Sequence, residues 1–446
     1  MVTLLATARE AFRTRLWPIP TIAVVLAVGL GLGVPALDEV VDGELSDRVS
    51  AWLFGGDADA ARSLLGAIAS SMITVTALTF SLTVVTLQLA SSQFSPRLLR
   101  TFTRDRFVQV TLALFLATFT YALTVLRAIR GSGDDGGAEL VPQVAVTLAF
   151  VLAIASVLAL VLFLAHLTEQ IRVETMLRNV HREAVATLGE VLEEREPGGA
   201  VRPPPPSPPS SAADLLARGD GFVTWIDRDG LLAVATEEDV VLGMSVDPGS
   251  FVVAATPLGS LWARDLRPLS SAAVERVGDR VASCVRLGFE RTSAQDVGFG
   301  LRQLVDVAVK ALSPGVNDPT TAVHALGHIS ALLCSLSDRD LGPRLLADDD
   351  GRTRVVLHGP DLADLVALAL AQPRKYGAAD AQVMQKVLQV LLDLSRRVSP
   401  DQRAVVLVEL ERTRRVIARE TFDDQEATAL EETESDIRRT LARSAA

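Results

Sequence analysis

The sequence predicts a membrane protein in two parts: an all-α membrane domain of four transmembrane helices, then a cytoplasmic α+β region made of a small β-barrel or β-sandwich followed by a helical domain. Three observations predict it. Long charge-free apolar runs are confined to the first 170 of the 446 residues. A stretch beyond a proline-rich linker is dense in β-branched and aromatic residues broken by turn signals. From there to the C-terminus, apolar residues recur at helical spacing. The hydrophobic share of 49% and the mean hydropathy of +0.32 are high for a soluble chain, and the excess lies almost wholly in residues 1–170.

Crossing a hydrocarbon core of about 30 Å takes about 20 apolar residues in a helix. Four stretches qualify: Pro20 to Leu37, Ser63 to Leu89, Val108 to Leu126 and Val141 to Leu167. Hydrocarbon offers no partner to backbone N–H and C=O groups, so each must be helical. No Asp, Glu, Lys or Arg falls within these four ranges, whereas proton-coupled carriers bury ionisable groups at membrane depth. Arginine placement sets the orientation. Arg9, Arg13 and Arg15 precede the first span, Arg97, Arg100, Arg104 and Arg106 lie between the second and third, and Arg172, Arg178 and Arg182 follow the fourth. Acidic residues dominate the other two loops. The expectation is a bacterial inner (plasma) membrane protein with both termini cytoplasmic. Trp17 and Trp52 fall at interfacial positions, and the stretch from Leu45 to Leu53 reads as a short amphipathic segment on the outer leaflet.

The second span carries the strongest polar pattern. At about 100° per residue, Ser70, Thr74, Ser81, Gln88 and Ser92 share one narrow face, and Thr76, Thr79, Thr83 and Thr86 form a row on the far side. Such a stripe suits the wall of a water-filled path in a homo-oligomer, with Arg97, Arg100, Arg104 and Arg106 ringing the inner mouth. Hydroxyls in membrane helices also bond back to their own carbonyls or permit close packing, and the sequence leaves both readings open. His166, at the inner end of the fourth span, reads as an interfacial residue.

Residues 171–211 read as a helical stalk and Pro-rich linker, residues 212–268 as the small β domain and residues 269–446 as the helical cytoplasmic domain, with residues 1–170 forming the membrane domain. Within the β domain, GFVTWID, LLAVATEED, VVLGMSV and FVVAATPLGSLW are expected strands, and Asp229-Gly230 and Pro248-Gly249 are expected turns. Helices are expected over 271–290, 298–312, 319–336, 360–371, 379–397, 400–420 and 424–443, with a short strand at Arg354–Leu357. The segment from Asp296 to Ala322 stands apart. It places Arg302, Gln303 and Asp306 on one helix and Asn317 and Asp318 in a turn, where Asp318-Pro319 suits an N-cap followed by Pro at N1. That turn is either a well-capped connection or a site for a small ion or ligand.

The net charge of −11 falls mostly outside the membrane half, which holds 11 Arg, no Lys and 13 Asp or Glu; this argues against nucleic acid as a partner. The partners expected are the lipid bilayer, further copies of the chain, and a small ion or ligand. Cys284 and Cys334 make neither a disulfide framework nor a zinc site, and both are expected to be reduced. His324 and His328 have zinc-binding spacing, with Cys334, His358 or Asp318 as conceivable third ligands, but a packed or exposed pair is the simpler account. No nucleophile, metalloprotease or nucleotide-binding signature occurs, so neither catalysis nor a cofactor is expected.

Two long motifs carry a resemblance. LRQLVDVAVKALSPGVNDPTTA, and ALTFSLTVVTLQLASSQFSPRLLRTFTRDR over residues 77–106, closely resemble the hallmarks of the bacterial predicted membrane proteins grouped as domain of unknown function 2254. The resemblance runs over almost the whole chain. It implies the membrane topology, implies no activity, and singles out Gln88, Ser91, Ser92, Gln93, Pro96, Arg97 and Arg100 at the inner end of the second span.

Overall fold

The fold is that of a computed structural model, which describes residues 17–41, 53–93, 105–129, 141–170, 172–195 and 204–443. The chain divides into two compact units, residues 1–172 and 173–446.

Four long apolar helices build the first unit: α1 (Pro18–Val41), α2 (Ala58–Gln93), α3 (Arg106–Leu126) and α4 (Gln143–Gln170). Each is long and apolar enough to cross a membrane. α3 is the hub and packs against the other three. Leu65, Ile68 and Met72 of α2, Tyr121, Ala122 and Val125 of α3, and Ala145, Val146 and Ala149 of α4 form one core, while Val108, Leu112 and Phe163 form a smaller one. The outer faces stay apolar: Val151, Ile154, Val157, Leu158, Val161 and Leu162 of α4 are all exposed. In water such a surface would be an aggregation site; in lipid it is the expected exterior. α1 approaches α3 through Gly31, where an added Cβ would lie 2.7 Å from Thr124 Cβ.

Polar contacts join the helices at identifiable points among the described residues. Thr118 and Ser156 hydroxyls meet at 3.1 Å between α3 and α4, and Tyr121 donates its hydroxyl to the Ala145 carbonyl at 3.2 Å. Asp38 departs from the expectation. Placed by sequence in the acidic loop, it lies in the last turns of α1, buried, and accepts from the backbone N–H groups of Val144 and Ala145 at 2.9 and 3.2 Å. A carboxylate there neutralises the open N–H end of α4. The segment from Leu45 to Trp52 lies outside the described residues.

The second unit begins with α5 (Val173–Val191), which continues through β1 (Ala213–Leu216), β2 (Gly221–Ile226), α6 (Arg228–Glu237), β3 (Val240–Met244), β4 (Phe251–Val252), β5 (Pro257–Ala263), α7 (Ser271–Cys284) and β6 (Val285–Gly288). Then come α8 (Phe299–Ala311), α9 (Pro319–Ser337), β7 (Arg344–Ala347), β8 (Thr353–Leu357), α10 (Leu362–Tyr376), α11 (Ala381–Ser395), α12 (Arg403–Ile417) and α13 (Asp424–Arg443). The strands form a five-stranded sheet in the order β1-β5-β3-β8-β7 and a three-stranded sheet in the order β4-β2-β6.

Three expectations for this unit are corrected. There is no closed barrel among the described residues: the larger sheet is open and mixed, with β3 and β8 parallel through Leu242 opposite Val355, and helices α6 and α7 share its core. The stretch LLAVATEED is helical, not extended. Asp227 caps α6 by accepting from the Gly230 N–H at 3.1 Å, and the buried Leu231, Val234 and Ala235 follow the i, i+3, i+4 spacing of a helix face. The helix expected over 271–290 stops at Cys284, because Val285–Gly288 pairs as β6 with β2. The expected stalk packs its apolar face, Met176, Leu177, Val180, Ala184 and Leu188, against α8 and α9 of its own unit. Arg354 on β8 is buried between Asp348 and Asp239, each at 2.7 Å.

The α1–α3 approach generates a test. Gly31→Leu should cost about 1–3 kcal/mol through overpacking, seen as a lower thermal midpoint in detergent. Gly33→Leu, at a site with open space around it, should leave the midpoint unchanged.

Candidate functional site

The polar face of α2 points out of the four-helix unit. Ser70, Thr74, Ser81 and Gln88 are all exposed on the single chain. The second hydroxyl row turns inward: Thr79 and Thr86 are buried and Thr76 and Thr83 half-buried. Back-bonding is extensive. Thr74 donates to the Ser70 carbonyl at 3.0 Å, Thr76 to Met72 at 2.7 Å, Thr83 to Thr79 at 2.8 Å and Thr86 to Leu82 at 2.9 Å. Burial separates the two rows: the inward one packs within the fold, and among the described residues the outward one is exposed. The side chain of Ser92 and all of Arg97, Arg100 and Arg104 lie outside the described residues; Arg106 is exposed at the first residue of α3. Beside it, Asp105 caps α3 through the Phe107 N–H at 2.8 Å and binds His166 of α4 at 2.5 Å, so His166 fastens two helix ends.

In the second unit, α8 positions the motif residues. Gln303 is buried, and Arg302 and Asp306 are half-buried. The turn to α9 is tight. Asn317 adopts φ +49°, a left-handed conformation that Asn tolerates, and its N–H reaches the Ser313 carbonyl at 2.9 Å. This aims Asp318 at the start of α9, where its carboxylate accepts from the Thr321 N–H at 3.0 Å and hydroxyl at 2.6 Å. Those two bonds hold the Asp318 carboxyl below its ordinary pKa. Asp318 is thus committed to capping.

Gly300, unremarked in the sequence, gives the motif its packing role: a Cβ there would lie 2.4 Å from that of Ala184, so α5 and α8 meet at backbone distance. His181 of α5 joins the histidines of α9, its ring centroid 5.3 Å from that of His328. Burial, then the neighbouring His181 and His324, lower the His328 pKa. Among the described residues no group of three His, Cys, Asp or Glu is arranged to hold a metal ion.

Sequence reasoning also missed a cavity of about 330 Å³ inside the second unit. The end of α5, the β2–α6 junction, the turn after β3, the approach to α8, the exit of β8 and the start of α10 line it. Asp296, the first residue of the motif, forms part of the wall. It is buried, bound to Arg291 at 2.8 and 2.7 Å, and burial raises its pKa against the pull of that guanidinium. Gly249 crosses directly over it at φ +96°, where a Cβ would fall 2.2 Å from the carboxylate. The expected Pro248-Gly249 turn is therefore also a cavity wall. His358 and Asp247 pair across another part of the lining at 2.6 Å.

Residues 13–393 match the family described as predicted membrane protein, domain of unknown function 2254. The chain belongs to this family. Uncharacterized proteins of Mycobacterium bovis and Mycobacterium tuberculosis are each 37% identical to it over 412 residues, covering 92% of this chain and 77% of theirs. No solved structure matches it. The family membership and the four apolar helices establish a membrane protein.

The Asp318 cap generates the second test. Asp318→Ala should destabilise the protein by about 1 kcal/mol, whereas Asp318→Asn should retain most of the stability. Because the carboxyl pKa is depressed in the fold, the cap's contribution is present above the ordinary Asp range and is lost as pH falls through the depressed value. Thermal midpoints of the two variants against pH would check both outcomes.

Proposed function

We propose that copies of this chain assemble into a channel-like pore in the bacterial plasma membrane, with α2 facing the conducting path and residues 173–446 acting as a cytoplasmic regulatory domain. One observation carries the reading: Ser70, Thr74, Ser81 and Gln88 are exposed along a membrane span while the other hydroxyl row of the same helix is packed inside the fold. The Thr74 hydroxyl is already bonded to the Ser70 carbonyl, but an amide and serine hydroxyls facing hydrocarbon are unfavourable, and a second copy of the chain or water relieves them. Arg97, Arg100, Arg104 and Arg106, on the side assigned to the cytoplasm by arginine placement, would favour anions at the inner mouth.

A membrane-anchored sensor is the second reading, favoured by the cavity in residues 173–446. In that case the polar face of α2 is a dry contact between copies.

Conductance of the purified protein in planar bilayers separates the two. The pore reading expects discrete currents that fall at least about tenfold in Thr74→Leu and Ser81→Leu, which place apolar bulk on the path, while Gly33→Leu conducts normally. Absence of current from an assembled oligomer leaves the sensor.

A further inference from the structure

Arg228 occupies a position that works against a cation in three ways. It is half-buried in the wall of the 330 Å³ cavity, and a second guanidinium, Arg344, lines the same space. It is also the first residue of α6, next to the helix N-terminus, where the backbone dipole favours negative charge. Burial first, and then Arg344, lower its pKa, against a weaker opposing pull from Glu193 and Asp229. Yet among the described residues no hydrogen bond or ion pair engages its side chain.

The other charges on the lining are mostly spoken for. Arg344 donates to the Val191 carbonyl at 3.1 Å and to Glu193 at 2.5 Å. His358 is bound to Asp247, Asp296 to Arg291, and Asp361 caps α10 through the Ala363 N–H at 3.1 Å. Asp364, in the first turn of α10, is exposed. Gln295, also on the lining, is bonded to the Ile226 N–H and carbonyl at 2.8 and 3.2 Å, and the rest of the wall is mainly apolar, with Ile226, Val246, Leu357, Leu365 and Leu368. A half-buried guanidinium with no hydrogen bond is incompletely solvated, and an anion brought to it gains a charge-assisted hydrogen bond. The volume lies at the lower end of the ~300–1,000 Å³ typical of small-molecule sites.

We propose that this cavity binds a small organic anion: a phosphate or carboxylate group, held by Arg228, on a compact apolar body that occupies the Ile226, Leu357 and Leu368 wall. The carboxylates of the lining exclude a polyanion and leave room for one negatively charged group. Binding is a property of the second unit and holds whether or not the protein conducts; what binding does to the membrane unit rests on the sensor or regulatory reading.

The test is titration calorimetry on the full-length protein in detergent with phenyl phosphate, benzoate, benzyl alcohol and inorganic phosphate. Saturable binding of phenyl phosphate or benzoate is expected, weaker by about tenfold or more in Arg228→Gln, as for a lost charge-assisted hydrogen bond. Benzyl alcohol and inorganic phosphate should each bind at least about tenfold more weakly than the better of the two aromatic anions. Leu368→Trp, which fills the cavity and leaves Arg228 in place, should abolish binding at an unchanged thermal midpoint, so a misfolded Arg228 variant would not decide the matter. Failure of both aromatic anions to bind, binding untouched by Arg228→Gln and Leu368→Trp, or equal binding of inorganic phosphate would each overturn the proposal.

Discussion

In hydrocarbon a backbone amide finds no water, so its partner must come from the protein itself, and the architecture of the first unit follows from that restriction. The four helices consume their own N–H and C=O groups, so side chains decide only how the helices meet. Because lipid is as apolar as leucine, burying leucine against leucine gains little there, and close approach and a few polar contacts do the sorting. Gly31 against Thr124, Thr118 against Ser156 and Tyr121 against the Ala145 carbonyl are contacts of this kind. The Asp38 carboxylate on the first N–H groups of α4 belongs with them: it fastens the end of one span to the start of another.

The same restriction gives the two faces of α2 different meanings. A threonine that bonds to its own i−4 carbonyl hides its polarity at little cost; Thr76, Thr83 and Thr86 do this on the packed side and Thr74 does it on the outward face. Gln88 has no such refuge, since an amide offers two donors and an acceptor. Its exposure places an amide on the outward face of α2, near the end of the span.

Much of this was legible in the sequence, and the rest was not for identifiable reasons. Local signals were reliable where they were complete. Apolar length marked the spans, and Asp318-Pro319 marked the start of α9, because capping and helical periodicity involve neighbours in the chain. Asp38 escaped because a charge next to an apolar run reads as a loop boundary; its burial depends on helix ends brought together from 106 positions away. The stretch LLAVATEED misled because its β-branched and apolar content suggested a strand, while the cap at Asp227 and the spacing of Leu231, Val234 and Ala235 decided for a helix. The barrel was expected because residues 212–268 were read as self-contained, whereas two strands of the sheet, β7 and β8, arrive from 344–357. The cavity and the packing role of Gly300 are properties of surfaces that meet only in the fold. No spacing rule announces them.

The parallel pairing of β3 with β8 has a consequence for how the molecule is made. Leu242 emerges from the ribosome long before Val355, its neighbour in the sheet. Until α8 and α9 have been synthesised and β8 delivered, one edge of β3 has its amides and carbonyls open to any passing strand. Long-range pairing of this sort is slow, and it leaves the nascent chain waiting in an adhesive state. A chain cut short between these strands would therefore keep an open sheet edge on β3.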